Sequence, residues 1–183
     1  MKIFIDPGHG GSDPGAVNTA VGITEANVNL DTALRLQRIL QNRGYTTMMS
    51  RTSDVFVPLQ ERARMANNWG ADYFISVHAN ANVNPNAGGT ETLYYSNGSK
   101  GHALAQEIQH QLILQNGLAD RGVIPRPGLA VLRLTNMPAV MAETAFVSNP
   151  REAMLLSTPD FRQRSAQGIA DGLTQYMKEQ GQV

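Results

Sequence analysis

Two histidines and a glutamate stand where predicted secondary-structure elements begin or end. His9 lies in a glycine-rich loop after a short apolar run, Glu25 opens a predicted helix, and His78 closes another apolar run. Two imidazoles and one carboxylate, with water as the fourth ligand, form an open tetrahedral zinc site of the catalytic kind. These residues are far apart in the sequence and form no local metal-binding motif such as H-E-x-x-H, so their spacing alone is weak evidence.

The loop around His9 reads Asp6-Pro-Gly-His-Gly-Gly-Ser-Asp-Pro-Gly15. Its glycines reach backbone angles closed to other residues and let the main chain approach a ligand closely. A histidine held there suits a metal ligand, a catalytic base or an anion contact, but it also suits a solvated side chain in a tight turn. The loop by itself leaves these alternatives open.

A third acidic group, Glu143, lies in the middle of the apolar run Val140–Val147. Burying a carboxylate is unfavourable unless a metal, a partner or a chemical task accompanies it. We therefore interpret Glu143 as a functional carboxylate. The alternative is a buried ion pair with Arg51 or Arg133.

Composition excludes several classes of function. The 183 residues carry 15 basic and 15 acidic side chains, so the formal net charge is zero and neither nucleic acid nor a polybasic membrane anchor is expected. There is no cysteine, which excludes disulfides, thiolate zinc sites and a cysteine nucleophile. No apolar run is long enough to span a membrane, and no export signal is visible, so the sequence is either made without one or is a mature or excised catalytic segment.

Short apolar runs alternate with segments of helical periodicity, which predicts a single α/β domain over residues 1–183. We expect a mostly parallel six-stranded sheet with helices on both faces. The predicted strands are Lys2–Ile5, Tyr45–Ser50, Asp72–His78, Thr90–Tyr95, Leu129–Leu132 and Pro138–Val147. The predicted helices are Ala26–Arg43, with Thr24 as the N-cap, Pro58–Trp69, Ser99–Asn116, Pro150–Leu156 and Asp160–Met177. Since the carboxyl ends of parallel strands meet at one edge, the acid and imidazole groups are expected to gather there.

Five segments also carry a resemblance to a known family. They are Ile5–Ala16, Thr24–Glu25, Ser50–Arg51, Ser76–Asn80 and Pro138–Asn149. Together, and in this order, they resemble the zinc-dependent N-acetylmuramoyl-L-alanine amidases of bacterial cell walls, of the type with a single α/β catalytic domain. The likeness covers essentially the whole chain.

The resemblance implies one Zn²⁺ per domain, bound by His9, Glu25 and His78, with Glu143 as the catalytic acid and base. It also implies the bond that is cut, between the lactyl group of N-acetylmuramic acid and the first L-alanine of the peptidoglycan stem peptide. We therefore expect a monomer that acts on peptidoglycan, outside a bacterial cell or in its wall.

Four further residues flank these positions. Asp6, Ser76 and Asn80 are expected either to orient the imidazoles or to bind substrate amides, or else to be structural. Arg51, at a strand exit, is expected to meet a substrate carboxylate or to bridge loops.

The resemblance also bears on regulation. Some branches of the family carry a long helical insertion after the second zinc histidine, which plugs the active site until a partner moves it. Here Asn80 and Thr90 enclose only residues 81–89, which is too short for such a plug. We expect an active site that is open without an activator.

Two other functions remain open at this point. The same ligands and base would hydrolyse any peptide amide held in place, as in a zinc peptidase unrelated to cell walls. The glycine loop could also serve a binding module that holds an anion or the cell wall without catalysis.

Overall fold

A computed structural model describes residues 1–183 and contains eight strands and six helices. The strands are β1 (Lys2–Pro7), β2 (Val17–Asn18), β3 (Ile23–Thr24), β4 (Thr46–Met49), β5 (Tyr73–Asn80), β6 (Thr90–Tyr94), β7 (Asp120–Pro125) and β8 (Ala139–Phe146). The helices are α1 (Glu25–Asn42), α2 (Leu59–Trp69), α3 (Lys100–Asn116), α4 (Ala130–Arg133), α5 (Pro150–Leu156) and α6 (Pro159–Glu179). None of these helices has both the length and the apolar character that crossing a bilayer requires.

Six strands form one sheet in the order β4-β1-β5-β8-β6-β7. Strands β4, β1, β5 and β8 run parallel to one another, whereas β6 is antiparallel to β8 and parallel to β7. The prediction of a mostly parallel six-stranded sheet is therefore confirmed. The two short strands β2 and β3 pair separately, as a small antiparallel ribbon before α1.

Helices cover both faces of the sheet, as predicted. Alternate residues of a strand point to opposite faces, so Ile3 and Ile5 pack under α1, α3 and α6, while Phe4 packs under α2 and α4. Strand β8 repeats this division, with Val140 in the first core and Met141 in the second. The central strands are apolar on both sides because both sides are covered.

The start of α1 places an acid at the sheet edge. Thr24 is the N-cap, as predicted, and its hydroxyl oxygen accepts a hydrogen bond from the backbone N–H of Asn27 at 3.3 Å. Glu25 is the first residue of the helix and is 5% exposed. Because α1 begins at the carboxyl ends of β1 and β5, Glu25 faces the loop that follows β1.

One predicted strand is wrong. Leu129–Leu132 does not form a strand, since residues 130–133 form the short helix α4, which packs Val131 and Leu132 onto the sheet face. The sixth strand is instead β7, an edge strand that pairs only with β6. A short apolar run fits a buried helical turn as well as a strand, and only the tertiary contacts decide between them.

Candidate active site

The structure brings His9, Glu25 and His78 together at the carboxyl edge of the sheet. One oxygen of the carboxylate, Glu25 Oε1, lies 3.1 Å from His9 Nε2 and 2.9 Å from His78 Nδ1. One ligand atom from each residue lies within 4.8 Å of the others, which is close enough for all three to bind a single metal ion. Two imidazole nitrogens and a carboxylate oxygen, without thiolate, fit zinc with a position left open for water or substrate.

The parallel pairing of β1 with β5 sets this arrangement. Pro7 is in register with Val77, so the loop after β1 begins next to the carboxyl end of β5. The backbone of His9 then turns into the left-handed region with φ of 61°, and His9 is the one non-glycine residue of the chain with positive φ. Such a conformation is unfavourable for most side chains and is common where function requires it.

Two glycines make room for the ligand side chains. A β-carbon on Gly8 would overlap Cε1 and Nε2 of His78, and one on Gly15 would lie 2.7 Å from both Glu25 Oε2 and His9 Cδ2. Gly15 also has a positive φ of 64°. The glycines of this loop are therefore required by close packing as well as by backbone conformation.

The three candidate ligands shift one another's pKa strongly. The hydrogen bond with Glu25 raises the pKa of His9 to about 9, and that of His78 is also raised, because its contacts with Glu25 and the charge of Glu143 outweigh burial. Burial alone would raise the pKa of Glu25, but hydrogen bonds to His78 and His9 lower it well below its usual range. Without metal the cluster thus holds protons that a cation would displace.

Asp13 completes the surroundings of His9. Its Oδ2 lies 2.8 Å from His9 Nδ1, on the opposite side of the ring from Glu25, and its Oδ1 accepts a hydrogen bond from the backbone N–H of Gly15 at 3.1 Å. A carboxylate in this position fixes the orientation and tautomer of a ligating imidazole. Asp13 was not among the site residues predicted from the sequence, although an acid four residues after a candidate ligand in a glycine-rich loop was a usable signal.

Glu143 lies beside the cluster on β8, in register with His78 of β5. It is 9% exposed, its Oε2 has no hydrogen-bond partner, and burial raises its pKa to about 7. Neither Arg51 nor Arg133 contacts it, so the ion-pair alternative is wrong. A buried carboxyl group with an unpartnered oxygen thus lies next to the three candidate ligands, an arrangement that is typical of catalytic sites.

Asp6 and Ser76 lie beneath the cluster and contact each other rather than the imidazoles. Asp6 is 1% exposed and accepts hydrogen bonds from Ser50 Oγ at 2.6 Å, Ser76 Oγ at 2.8 Å and Arg62 Nη1 at 2.9 Å. The group supports the strand from which the glycine loop departs. Arg62 was not singled out from the sequence, because an arginine on an amphipathic helix normally faces solvent.

The side chain of Arg51 bridges loops. It is 3% exposed and donates to the carbonyl oxygens of Pro7 at 3.1 Å, Gly8 at 2.9 Å and Ala26 at 2.8 Å, and to Ser53 at 3.0 Å. These contacts occupy the guanidinium and favour the loop-bridging role over contact with a substrate carboxylate.

Asn80 lies farther along the edge, at the end of β5. Its Nδ2 donates to Glu91 Oε1 at 2.9 Å, and Arg121 Nε donates to the other oxygen of Glu91 at 2.8 Å. Glu91 is the register partner of Glu143 across the antiparallel pair β6 and β8. Asn80 therefore donates a hydrogen bond to a buried acid next to Glu143, whose charge Arg121 neutralises, and its side chain makes no hydrogen bond with the candidate ligands.

A groove of about 470 Å³ opens from the cluster over the sheet face. Its inner end is lined by His9, His78 and Glu143, and its walls come from the segments 56–59 and 129–131. The size and the mixed lining are typical of a small-molecule or substrate site.

Known proteins share this fold. The fold is that of an amidase catalytic domain: the catalytic domain of CwlV, an N-acetylmuramoyl-L-alanine amidase from Bacillus (Paenibacillus) polymyxa var. colistinus, superimposes with a TM-score of 0.91 and 38% identity. The match covers 97% of this chain and 98% of that domain. The chain belongs to the N-acetylmuramoyl-L-alanine amidase family, whose model matches residues 3–175.

Two relatives from Bacillus subtilis (strain 168) agree with this assignment. The sporulation-specific N-acetylmuramoyl-L-alanine amidase is 40% identical over 185 residues, which cover 96% of this chain and 68% of the relative. The N-acetylmuramoyl-L-alanine amidase LytC is 39% identical over 178 residues. That match covers 96% of this chain but only 35% of LytC, so the chain spans about a third of that relative's length.

Proposed function

We propose that this chain is a zinc-dependent hydrolase of the amide bond between N-acetylmuramic acid and the L-alanine of the peptidoglycan stem peptide. The observation that supports this most directly is the convergence of His9, Glu25 and His78 within 4.8 Å beside the unpaired Glu143. Membership of the amidase family supplies the substrate class.

In this proposal His9, Glu25 and His78 hold one zinc ion, and Asp13 fixes the imidazole of His9. Bound zinc supplies a Lewis acid that activates water and polarises the amide carbonyl. The ligands come from a loop, a helix start and a strand end that are packed against one another, so the ligand set is largely preorganised.

Glu143 moves the protons. Its Oε2 takes a proton from the attacking water as oxygen adds to the lactyl carbonyl carbon, and it returns a proton to the L-alanine nitrogen as the carbon–nitrogen bond breaks. The products are a lactyl carboxyl group and a free L-alanine amino terminus. A pKa raised by burial to about 7 suits a group that must both accept and donate a proton near neutral pH.

The site is proposed to work without an activator, as a monomer acting on the cell wall outside the bacterial cell. Residues 81–89, between β5 and β6, contain no helix, and the groove beside Glu143 is open. Zinc added to the purified chain should therefore be sufficient for hydrolysis of peptidoglycan. An inert zinc-loaded chain that a partner protein then activates would contradict this part of the proposal.

The test of the activity combines metal analysis with product identification on one sample. We expect one zinc per chain and the release of lactyl carboxyl groups and L-alanine amino termini from muropeptides. Cleavage only between amino acids would instead support a zinc peptidase, and ligand binding without any hydrolysis would support a non-catalytic module.

A substitution at Glu143 tests the catalytic role separately from metal binding. Glu143→Gln should lower kcat by about 10²- to 10⁴-fold while zinc content stays at one per chain. Glu179→Gln, at the exposed end of α6, is the matched control and should keep full activity. Full activity of the Glu143 variant would exclude the assigned role.

A further inference from the structure

The groove changes character away from the candidate metal site. Its charged lining residues belong to the metal site or to the buried pair of Asp6 and Arg62, and every other lining residue is apolar. Three of the apolar residues, called the apolar wall below, are Phe56, Val57 and Leu59. The other apolar lining residues include residues 129–131 and Met141.

The apolar wall is exposed despite its composition. Phe56 is 53% exposed and Leu59 is 54% exposed. Large apolar side chains that stand next to one another along a groove indicate a binding surface, whereas scattered ones need no explanation. The surface continues directly into the inner end of the groove, where Glu143 lies.

The segment that carries this wall sits on the glycine loop. A β-carbon on Gly11 would lie 2.6 Å from the backbone nitrogen of Phe56, and one on Gly10 would overlap the carbonyl oxygen of Val55. The backbone N–H of Gly11 also donates to Asp54 Oδ1 at 2.8 Å. The wall and the loop that carries His9 are therefore in direct backbone contact.

Arg62 joins the same two segments from below. It is 2% exposed, its Nε donates to the Val57 carbonyl at 2.9 Å, and its Nη2 donates to the His9 carbonyl at 2.9 Å. Its Nη1 donates to Asp6 Oδ1 at 2.9 Å and to the Pro7 carbonyl at 2.7 Å. The planar guanidinium thus spans the apolar wall and the backbone of a candidate metal ligand.

Charge decides which side of the substrate suits this groove. On the proposed function, the scissile amide has an uncharged side, the N-acetylated sugar with its lactyl group, and a peptide side that ends in a carboxylate. A wall without charged groups disfavours a carboxylate and suits the apolar face of a sugar ring.

We propose that the apolar wall binds the uncharged, glycan-bearing side of the substrate, with Phe56 packing against a sugar ring. Arg62 is then a positioning residue that holds this wall at a fixed place relative to the backbone of His9. This inference rests on the proposed function and assigns the sides of the scissile bond within the groove.

The first test compares two substrates that share the scissile amide. One carries the disaccharide on the lactyl group, and the other is a lactyl peptide without sugar. Phe56→Ala should raise KM for the glycan substrate about 10-fold with kcat unchanged and leave the lactyl peptide unaffected, because the lost contact is made equally in ground and transition states. Phe56→Tyr should restore KM, and Leu114→Ala, 65% exposed on α3, is the control.

The second test is a double-mutant cycle. Arg62→Lys keeps the charge but removes the guanidinium that donates to the carbonyl oxygens of both Val57 and His9. KM for the glycan substrate should therefore rise several-fold, and zinc affinity should fall. In a Phe56→Ala background the effect of Arg62→Lys on KM should disappear, while its effect on zinc affinity persists. Arg64→Lys is the control, since Arg64 is on the same helix, exposed and paired with Glu61.

The results separate the two proposals. Hydrolysis by the wild-type chain together with equal effects of Phe56→Ala on both substrates, or no effect on either, would overturn the assignment of the wall. Additive effects of the two substitutions on KM would overturn the positioning role of Arg62. No hydrolysis of either substrate by the zinc-loaded wild type would overturn the proposed function, and the substrate assigned to the wall with it.

Discussion

The imidazole ring of His78 occupies the space that a side chain on Gly8 would need. The contact joins the ends of the adjacent strands β1 and β5, and it holds one candidate ligand against the backbone of the loop that supplies another. Gly8 is not one of the glycines with positive φ, so the requirement at this position is steric and not conformational.

Gly8→Ala should therefore displace His78 and lower zinc affinity by at least about 10-fold, because a shift of one ligand disrupts the shared coordination. Competition titration with a zinc chelator measures the affinity. Gly128→Ala is the matched control, since no atom lies within 4 Å of a β-carbon there. Equal zinc affinity in the two variants would contradict the steric argument.

Asp13→Asn tests the carboxylate behind His9. The substitution keeps the size of the side chain but removes the charge that orients the imidazole, so zinc affinity should fall about 10- to 100-fold. Circular dichroism and the melting temperature should remain close to those of the wild type, because Asp13 is at the surface of the loop. An unchanged zinc affinity would show that the backbone alone orients His9.

The pH profile of hydrolysis reports on Glu143. The proposed base acts as the carboxylate, which is populated above its pKa, and burial raises that pKa to about 7. A bound cation stabilises the charged form and shifts the pKa downward. We expect kcat/KM to rise with pH along a limb whose midpoint is at or below about 7, and the limb should be absent in Glu143→Gln. A midpoint well above 7 would assign the limb to another group.

The stability of the metal-free chain should depend on pH in a defined direction. The pKa of His9 is raised from 6.5 to about 9, so the stabilisation from its contacts with Glu25 and Asp13 is complete below pH 6.5 and is lost as the pH rises toward 9. The pKa of Glu25 is lowered, so its contribution is present above the ordinary glutamate value and is lost in acid. In the presence of a chelator, the melting temperature should be highest between the ordinary pKa of glutamate and pH 6.5, and it should fall at lower and at higher pH.

Two controls make the stability experiment specific. His9→Gln should remove most of the alkaline decline, while His110→Gln, at an exposed position of α3, should leave it unchanged. Saturating zinc should reduce the alkaline decline of the wild type, because the metal binds the deprotonated imidazole. An alkaline decline that persists in His9→Gln would assign it to other groups.

Much of the framework could be predicted from the sequence because its determinants are local. Thr24 predicts the start of α1, and hence the position of Glu25, from capping chemistry alone. The apolar run that ends at His78 predicts a buried parallel strand, and parallel strands place their carboxyl ends at one edge.

What could not be predicted depends on contacts between distant segments. Leu129–Leu132 was expected to be a strand, and its helical conformation follows from how α4 packs on the sheet face. The burial of Arg62 follows from carbonyl groups of residues 7, 9 and 57, which meet only in the folded chain. Such features have no periodic signature in the sequence.

Glu143 enters the fold much later in the chain than the candidate metal ligands. All three candidate ligands precede residue 80 and come from the loop after β1, from α1 and from β5, whereas Glu143 lies on β8, much later in the chain. The candidate ligands and the proposed base therefore lie on different stretches of polypeptide. During synthesis the ribosome releases all three candidate ligands before it has made β8, so a chain truncated before β8 would carry the ligand set without the proposed base.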